Sequence, residues 1–406
     1  SHFKSTDLWM MGGDGTAANN NLGSGWVGRY LEEVYQNVVG NPTAYSTPLA
    51  LQLADKKPAL MFDGDHHGHL STNLSGQDVG GYYSIINGIA GAPIANVPSS
   101  DHGDMLQYIM NVARNANVYS QTISNAFNNG ANATSVTYPN HDLADQLKTV
   151  ARLVHGGLQT KVFLVSLGGF DTHSNQVDAI GGVQAPGGRH VRLLEALSES
   201  MEAFMNDLKA LNIDQKFLTV TFSEFGRKVQ QNGSYGTDHG GAAPMFAMGT
   251  CLNGGIIGTN MDLSEATPTN NYQITTKQYD YRAVYATILQ DWLGAGTTVV
   301  DNAILDNNNP TASYTAAKLG TLIDNNYKVA PRCYITNYQL GVDATEPNDG
   351  IVFYPVPARE FVNVEFDRVF TGKVTMTNTQ GQVVLQKVVN QTNAVYLRFG
   401  KVPAGV

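Results

Sequence analysis

Two cysteines among 406 residues exclude a disulfide-stapled scaffold. Cys251 and Cys333 fit neither a zinc ribbon nor a Cys-x-x-Cys redox pair, and are left to form one disulfide or to stay free. Charge is also scarce, at 15% of residues with a formal net of −9, and Lys and Arg are scattered. Without a basic stripe, nucleic acid is excluded as a partner. No stretch approaches the roughly 18 apolar residues of a membrane-spanning helix, so the chain is expected to be soluble. It opens on Ser1 without Met or a charged-then-apolar leader, and this start is expected to be a processed or incompletely represented end.

Core material is ample, at 42% hydrophobic residues, and a chain this long calls for one large domain plus a smaller one. Gly reaches 42 residues and Asn recurs in runs such as Asn19-Asn20-Asn21 and Asn307-Asn308-Asn309, the surface style of a loop-rich extracellular protein. From Asp142 to Gly157 apolar residues recur at helical spacing, through Leu143, Leu147, Val150, Leu153 and Val154. Lys161 to Leu167 then becomes a short apolar strand ended by Gly168-Gly169. A Gly-rich loop leads to a second helix carrying Leu193, Leu197, Met201, Phe204 and Leu208 on one face, and Phe217 to Phe222 reads as another buried strand. Alternating helix and strand predicts an α/β domain with a largely parallel sheet and helices on both faces, whose ligands bind just beyond the strand ends. Trp9, Trp26 and Trp292 neighbour apolar helical patterning and read as packing residues.

After Tyr327 the pattern changes. Ile351 to Tyr354, Val362 to Phe366 and Lys373 to Thr377 are short strands separated by Pro355, Pro357, Gly372 and Gln380-Gly381, so the tail is all-β. The expected domains are residues 1–327 and 351–406, joined by a linker at 328–350 that carries Glu346-Pro347-Asn348-Asp349-Gly350.

Three clusters of ionisable residues follow strands or lie a short loop later. In Gly168-Gly169-Phe170-Asp171-Thr172-His173, a carboxylate and an imidazole two positions apart can turn toward one ion. Ser223-Glu224-Phe225-Gly226-Arg227 directly follows the second strand. Gly236-Thr237-Asp238-His239-Gly240-Gly241 places glycines where backbone can approach a ligand. Each has a plainer reading: an Asx turn for Asp-x-His, a surface ion pair for Glu224 with Arg227. Joint occurrence at the edge of one crevice favours function. The run Asp65-His66-His67-Gly68-His69 is either a metal site or a solvated loop. His190 either reaches the crevice or is a polar residue at a helix start, and His102, His141 and His155 read as structural.

The segment Phe163 to Gln176, with Leu167-Gly168-Gly169-Phe170-Asp171-Thr172-His173 at its centre, then Thr221 to Arg227 and Gly236 to Gly240, resembles the family called domain of unknown function 1501. Ser1-His2-Phe3 with Asp7-Leu8-Trp9, and Tyr281 to Ala286 with Asp291-Trp292-Leu293-Gly294, resemble further blocks of that family. The likeness spans about residues 1 to 295 in this numbering. It implies the three-layer αβα fold of alkaline phosphatases and sulfatases, which use divalent metals and a Ser, Thr or modified Cys nucleophile on phosphate or sulfate esters. By resemblance Asp171, His173, Glu224 and His239 are metal ligands and Asp238 is a ligand or its partner. Arg227 contacts the anionic ester, and Ser1 is the nearest candidate nucleophile. The ion is Zn, Ca, Mg or Mn. The family's opening strand and Gly-Gly-x-Asp-Gly motif are missing, since Gly12-Gly13-Asp14-Gly15 lies after the Ser-His-Phe block and reads as a loop. Either the protein is cleaved and a separate N-terminal fragment completes the sheet as a partner, or the sequence is incomplete at this end.

Val352 to Phe361, Gly372 to Val384 and Val402-Pro403-Ala404-Gly405-Val406 resemble the type A sorting domain of the type IX secretion system, a small immunoglobulin-like β-sandwich. The plainer reading is an accessory β-domain. The resemblance implies a chain secreted or held at the cell surface, with the outer-membrane translocon or its attachment components as partners. The expectation is a secreted metal-dependent hydrolase of phosphate or sulfate esters. The alternatives are an exported binding protein on the same fold, or cargo held by its transport machinery.

Overall fold

A computed structural model describes residues 2–13, 15, 23–35, 39, 46–53, 59–65, 71–74, 119–180, 183–185, 187–304, 318–329, 351–354, 361–377 and 383–398. The chain divides into two compact units, Ser1–Tyr334 and Ile335–Val406.

In the first unit, helix α1 (His2–Met11) and α2 (Trp26–Val34) precede strand β1 (Ala50–Gln52) and β2 (Ser71–Asn73). Helical residues 119–129 form α3, followed by α4 (Asp142–His155) and β3 (Val162–Leu164). The three strands make a parallel sheet in the order β2-β1-β3, with Ala50 opposite both Ser71 and Val162. Its centre, β1, is fully buried.

The period-two rule then separates two layers. Phe163, Val165 and Leu167 face a cluster built from Leu143, Leu147 and Val150 of α4 and Met201, Phe204 and Leu208 of α5 (Arg189–Ala210). Val162 and Leu164 face the opposite cluster, which includes Trp26, Tyr30 and Leu31 of α2 and Tyr285 of α6 (Tyr281–Thr287). Val299 and Val300 of α7 (Thr297–Ala303) complete that side. Each such side chain taken from water contributes about 1.5–3 kcal/mol. The helices expected from apolar spacing are therefore α4 and α5, and α4 also carries Asp142 and Asp145 in its first turn and Arg152 and His155 in its last, matching its dipole.

Short antiparallel pairs surround this sheet. A hairpin, β4 (Asp178–Ile180) with β5 (Val183–Ala185), precedes α5. The strand expected over Phe217 to Phe222 is a regular strand only over β6 (Thr219–Val220), which pairs antiparallel with β9 (Ala247–Met248). Among the described strands the parallel arrangement is thus confined to β1, β2 and β3. Between β6 and β9 lies the hairpin β7 (Gly226–Gln231) with β8 (Thr237–Gly240).

The second unit is an antiparallel sheet in the order β10 (Ile351–Tyr354), β11 (Phe361–Thr377), β12 (Val383–Arg398). The two strands expected around Val362 and Lys373 are one long strand. Gly372 does not end it but coincides with an irregularity in register, the signature of a bulge. The linker expected at 328–350 lies outside the described residues apart from 328 and 329. Among the described residues no helix is long and apolar enough to cross a membrane.

Candidate metal centre

Past β3 the chain stays extended, with Ser166 held at both backbone groups by the Gln146 side chain at 2.9 and 3.0 Å. It turns at Gly169, whose φ of +104° is open to glycine and strained for other residues. This delivers Asp171 and His173. The β7-β8 hairpin supplies Arg227 opposite His239, with Asp238 beside it. Asn232 in the hairpin turn donates to the His173 carbonyl at 2.8 Å and to Asp238 Oδ1 at 3.3 Å, fastening the two segments. Gly236 passes so close that a Cβ there would lie 2.3 Å from the carbonyl carbon and oxygen of His173.

The third contributor is α1. Trp9 stacks on Tyr281 with ring centroids 4.1 Å apart, the Tyr285 hydroxyl donates to the Trp9 carbonyl, and Ser5 donates to the Glu224 carbonyl at 2.7 Å. His2, at the helix start, thereby lies between the two loops: Nδ1 is 2.8 Å from Glu224 Oε1 and Nε2 is 3.1 Å from Asp171 Oδ2. Its ring also meets Phe225, which stacks on His239 at 4.2 Å.

Asp171 is the hub. Its Oδ1 lies 2.9 Å from His239 Nε2, 3.1 Å from His173 Nε2 and 2.8 Å from Arg227 Nη1. The two histidine Nε2 atoms are themselves 3.0 Å apart. Ligand atoms of His2, Asp171 and His239 all fall within 4.8 Å of one another. An ion held at about 2.0–2.2 Å with ligands at right angles keeps neighbouring ligand atoms about 2.8–3.1 Å apart, and the triangle of His173, His239 and Asp171 has edges of 2.9, 3.0 and 3.1 Å. Such crowding of lone pairs fits a divalent cation.

Electrostatics follow the same geometry. Burial pushes the Asp171 carboxyl up, but hydrogen bonds from Arg227 and His239 and the nearby histidine charges outweigh it and hold it down at about 2. Glu224 is likewise raised by burial and lowered more by His2, for a net decrease. Asn232 and then His173 lower Asp238. The hydrogen bond with Glu224 is the main cause that raises His2.

Of the residues singled out from sequence, Asp171, His173, Glu224, Asp238, His239 and Arg227 all gather here. Arg227 turns its guanidinium to Asp171 and, through Nε and Nη2, to the hydroxyl and carbonyl of Thr237. Ser1 lies outside the described residues, as do His66, His67, His69, His102 and Cys333. His190 meets Phe170 at 6.1 Å, and its Nδ1 is buried without a hydrogen bond. Cys251 is a buried free thiol, pushed up to about 11 by burial. Sequence reasoning missed His2 as a site residue. Its Ser-His-Phe block was visible, but nothing local to it discloses partners 169 and 222 positions away.

Residues 107–296 match the family model described as Protein of unknown function (DUF1501), and residues 352–406 match the Secretion system C-terminal sorting domain. No curated protein and no solved structure matches the chain. The first match spans every site residue named above except His2. The second marks the chain as cargo of the type IX secretion system, which exports it to the cell surface or the medium and whose machinery its tail engages.

Proposed function

We propose that the first unit is a metal-dependent hydrolase of phosphate or sulfate esters, built on the three-layer fold of the alkaline phosphatase and sulfatase superfamily and working outside the cell. The observation that carries this reading is the gathering of His2, His173 and His239, from three separate segments, around the carboxylate of Asp171. Imidazoles gathered around one carboxylate favour Zn2+ over Ca2+, Mg2+ or Mn2+, which prefer oxygen. Such an ion, when bound, supplies Lewis-acid polarisation of an ester oxygen and activation of a nucleophile. Arg227 orients Asp171 and keeps it ionised, and Asn232 ties the His173 loop to the hairpin. Apolar clusters on both faces of the β1-β3 sheet support the layered fold, and the all-β second unit supports an immunoglobulin-like sorting sandwich.

An N-terminal fragment that completes the sheet belongs to the same reading. Among the described residues no backbone hydrogen bond joins 162–167 to 217–222. Yet Phe163 and Phe217 pack on one apolar cluster while Leu164 and Phe222 pack on the other. A strand between them would bridge both edges.

One observation favours a second reading, an exported binding protein or secretion cargo without catalysis: Arg227 is engaged by Asp171 and Thr237 rather than free to take an ester anion. Elemental analysis of the intact protein beside its His173→Ala, His239→Ala variant separates the two. Stoichiometric metal lost in the variant, followed by turnover in a screen of phosphate and sulfate esters, is expected of the hydrolase. Metal-free wild-type protein sinks it.

A further inference from the structure

Behind Asp171 runs a chain of hydrogen bonds whose direction is fixed at every step. Arg227 Nη1 donates to Asp171 Oδ1 at 2.8 Å, and the other edge of the guanidinium closes on Thr237, Nε donating to the hydroxyl at 3.0 Å and Nη2 to the carbonyl. A guanidinium only donates, so the Thr237 hydroxyl accepts from Nε and gives its own proton elsewhere. Gln176 Oε1 stands 2.7 Å away, and the Thr172 hydroxyl donates to the same oxygen at 2.9 Å. Thr172 is 1% exposed and Thr237 9%, and among the described residues neither hydroxyl has another acceptor. That fixes the amide of Gln176: turned over, its NH2 would donate to both hydroxyls and leave two buried protons unpaired. The Gln176 backbone is engaged as well, its N–H donating to the Tyr235 carbonyl at 2.9 Å and its carbonyl accepting from His190 N at 3.2 Å. One residue therefore joins the start of α5, the hairpin turn and the loop that carries Asp171 and His173.

We infer that Gln176 is a positioning residue for Asp171. Its amide oxygen orients the Thr237 hydroxyl, Thr237 holds the Nε and Nη2 edge of Arg227, and Arg227 is left with Nη1 aimed at the carboxylate. This deepens, and rests on, the cation-site reading proposed above. It also gives the engagement of Arg227 a purpose, since a guanidinium clamped along one edge presents the other to Asp171 in a single orientation.

The test begins without metal, by NMR of the full chain labelled with nitrogen-15 at arginine, with Arg227→Lys to assign the Arg227 Nε–H signal. In wild type that proton is expected to exchange slowly with solvent, because it is held against a buried hydroxyl. Gln176→Met removes the acceptor at similar volume and Thr237→Val removes the hydroxyl; each should speed exchange about 10-fold, the worth of one hydrogen bond. Gln176→Glu and Thr237→Ser keep an acceptor and a hydroxyl and should exchange as wild type. Zn2+ titrations should follow the same order, both removals binding about 10-fold more weakly, the lower end of what a lost outer partner costs, and both conservative variants binding as wild type. Where one removal fails to fold, the other decides. Rapid exchange of the wild-type Nε–H overturns the inference. So do removals that unfold more easily in urea yet leave exchange and affinity unchanged, the mark of a structural role alone, and removals that alter exchange but not the Zn2+ affinity of a protein that binds it. Exchange that follows the expected order in a protein that binds no Zn2+ upholds the clamp and overturns the cation reading instead.

Discussion

The Nε2 atoms of His173 and His239 stand 3.0 Å apart, and both reach the same Asp171 oxygen. No assignment of single protons to two neutral rings and an ionised carboxylate satisfies every edge of that triangle without bringing two hydrogens or two lone pairs together. The cation proposed above would. Replacing Asp171 by Asn keeps the shape and removes the charge. Isothermal titration with Zn2+ is expected to show affinity lowered by more than the roughly 10–100-fold that loss of a partner outside the ligand set costs. Unchanged affinity would mean that Asp171 serves Arg227 and the histidines only as a structural acceptor.

Gly236→Ala tests how tightly the hairpin turn is laid on the His173 loop. The new methyl would meet the carbonyl groups of His173 and Thr172 at 2.3 and 2.4 Å, and both are backbone, so one segment must move. Overpacking of this kind costs about 1–3 kcal/mol. Urea unfolding is expected to show that loss, together with weakened metal binding, because His173 moves with its carbonyl. Loss of stability with unaltered affinity would separate the turn from the site.

The sequence disclosed what is periodic and local. Leu143, Leu147 and Val150 announce α4, and Met201, Phe204 and Leu208 announce α5, because helix burial repeats every three or four residues. The site clusters were legible because Asp171, Glu224 and His239 sit beside glycines and strand ends. Pairing was not legible. The run 217–222 is apolar and reads equally as a parallel or antiparallel strand, and only its partner, Ala247–Met248, decides which. Gly372 carries turn chemistry, but the neighbouring β12 holds it in a continuous strand. His2 is a site residue only because α1 docks on Tyr281 and Tyr285, far away in the chain.

Asp207 is fully buried on α5 and accepts hydrogen bonds from Asn132 Nδ2 at 2.7 Å, Ala133 N at 2.7 Å and Tyr138 OH at 2.8 Å. It fastens the loop after α3 to the α4-α5 layer. Asp207→Ala strands three donors and is expected to lower unfolding free energy by about 2–4 kcal/mol in a urea titration. Tyr138→Phe removes one donor and leaves two on the carboxylate, so a smaller loss of about 1 kcal/mol is expected. Equal effects of the two variants would show that Tyr138 alone matters.

Acid should loosen the segment that braces His239. Gln273 donates to the His239 carbonyl at 3.1 Å and accepts from Gly241 N at 2.9 Å. Its segment is tied down where Glu265 Oε2 accepts from Thr276 N at 2.9 Å and from Thr275 N and Oγ1 at 2.9 and 3.0 Å. Those bonds, Thr276 first, hold the Glu265 carboxyl down at about 2, against about 4.3 in an unfolded chain. A lowered folded value stabilises above the unfolded one and is lost as pH falls through the folded one. The melting temperature of wild type should therefore exceed that of Glu265→Gln by a constant margin above about pH 5, and the margin should close between about pH 4.3 and 2. A margin independent of pH would exclude the carboxylate charge as its source.

Removing the tail tests whether address and site are separable. All buried residues of the three apolar clusters in the first unit lie between positions 26 and 304, within the first unit's own sequence and apart from residues 352–406, where the sorting domain is matched. A chain ending at Val329 is expected to keep its cooperative unfolding and whatever Zn2+ affinity the full chain has. Export should fail, because the machinery that moves this cargo across the outer membrane reads the tail. Fractionation of cells that carry the secretion system should then find the truncated chain retained inside the outer membrane and the full chain at the surface or in the medium. A truncated chain found outside would show that the first unit carries an address of its own. A truncated chain that no longer folds would show that the tail contributes to the stability of the first unit as well as to its delivery.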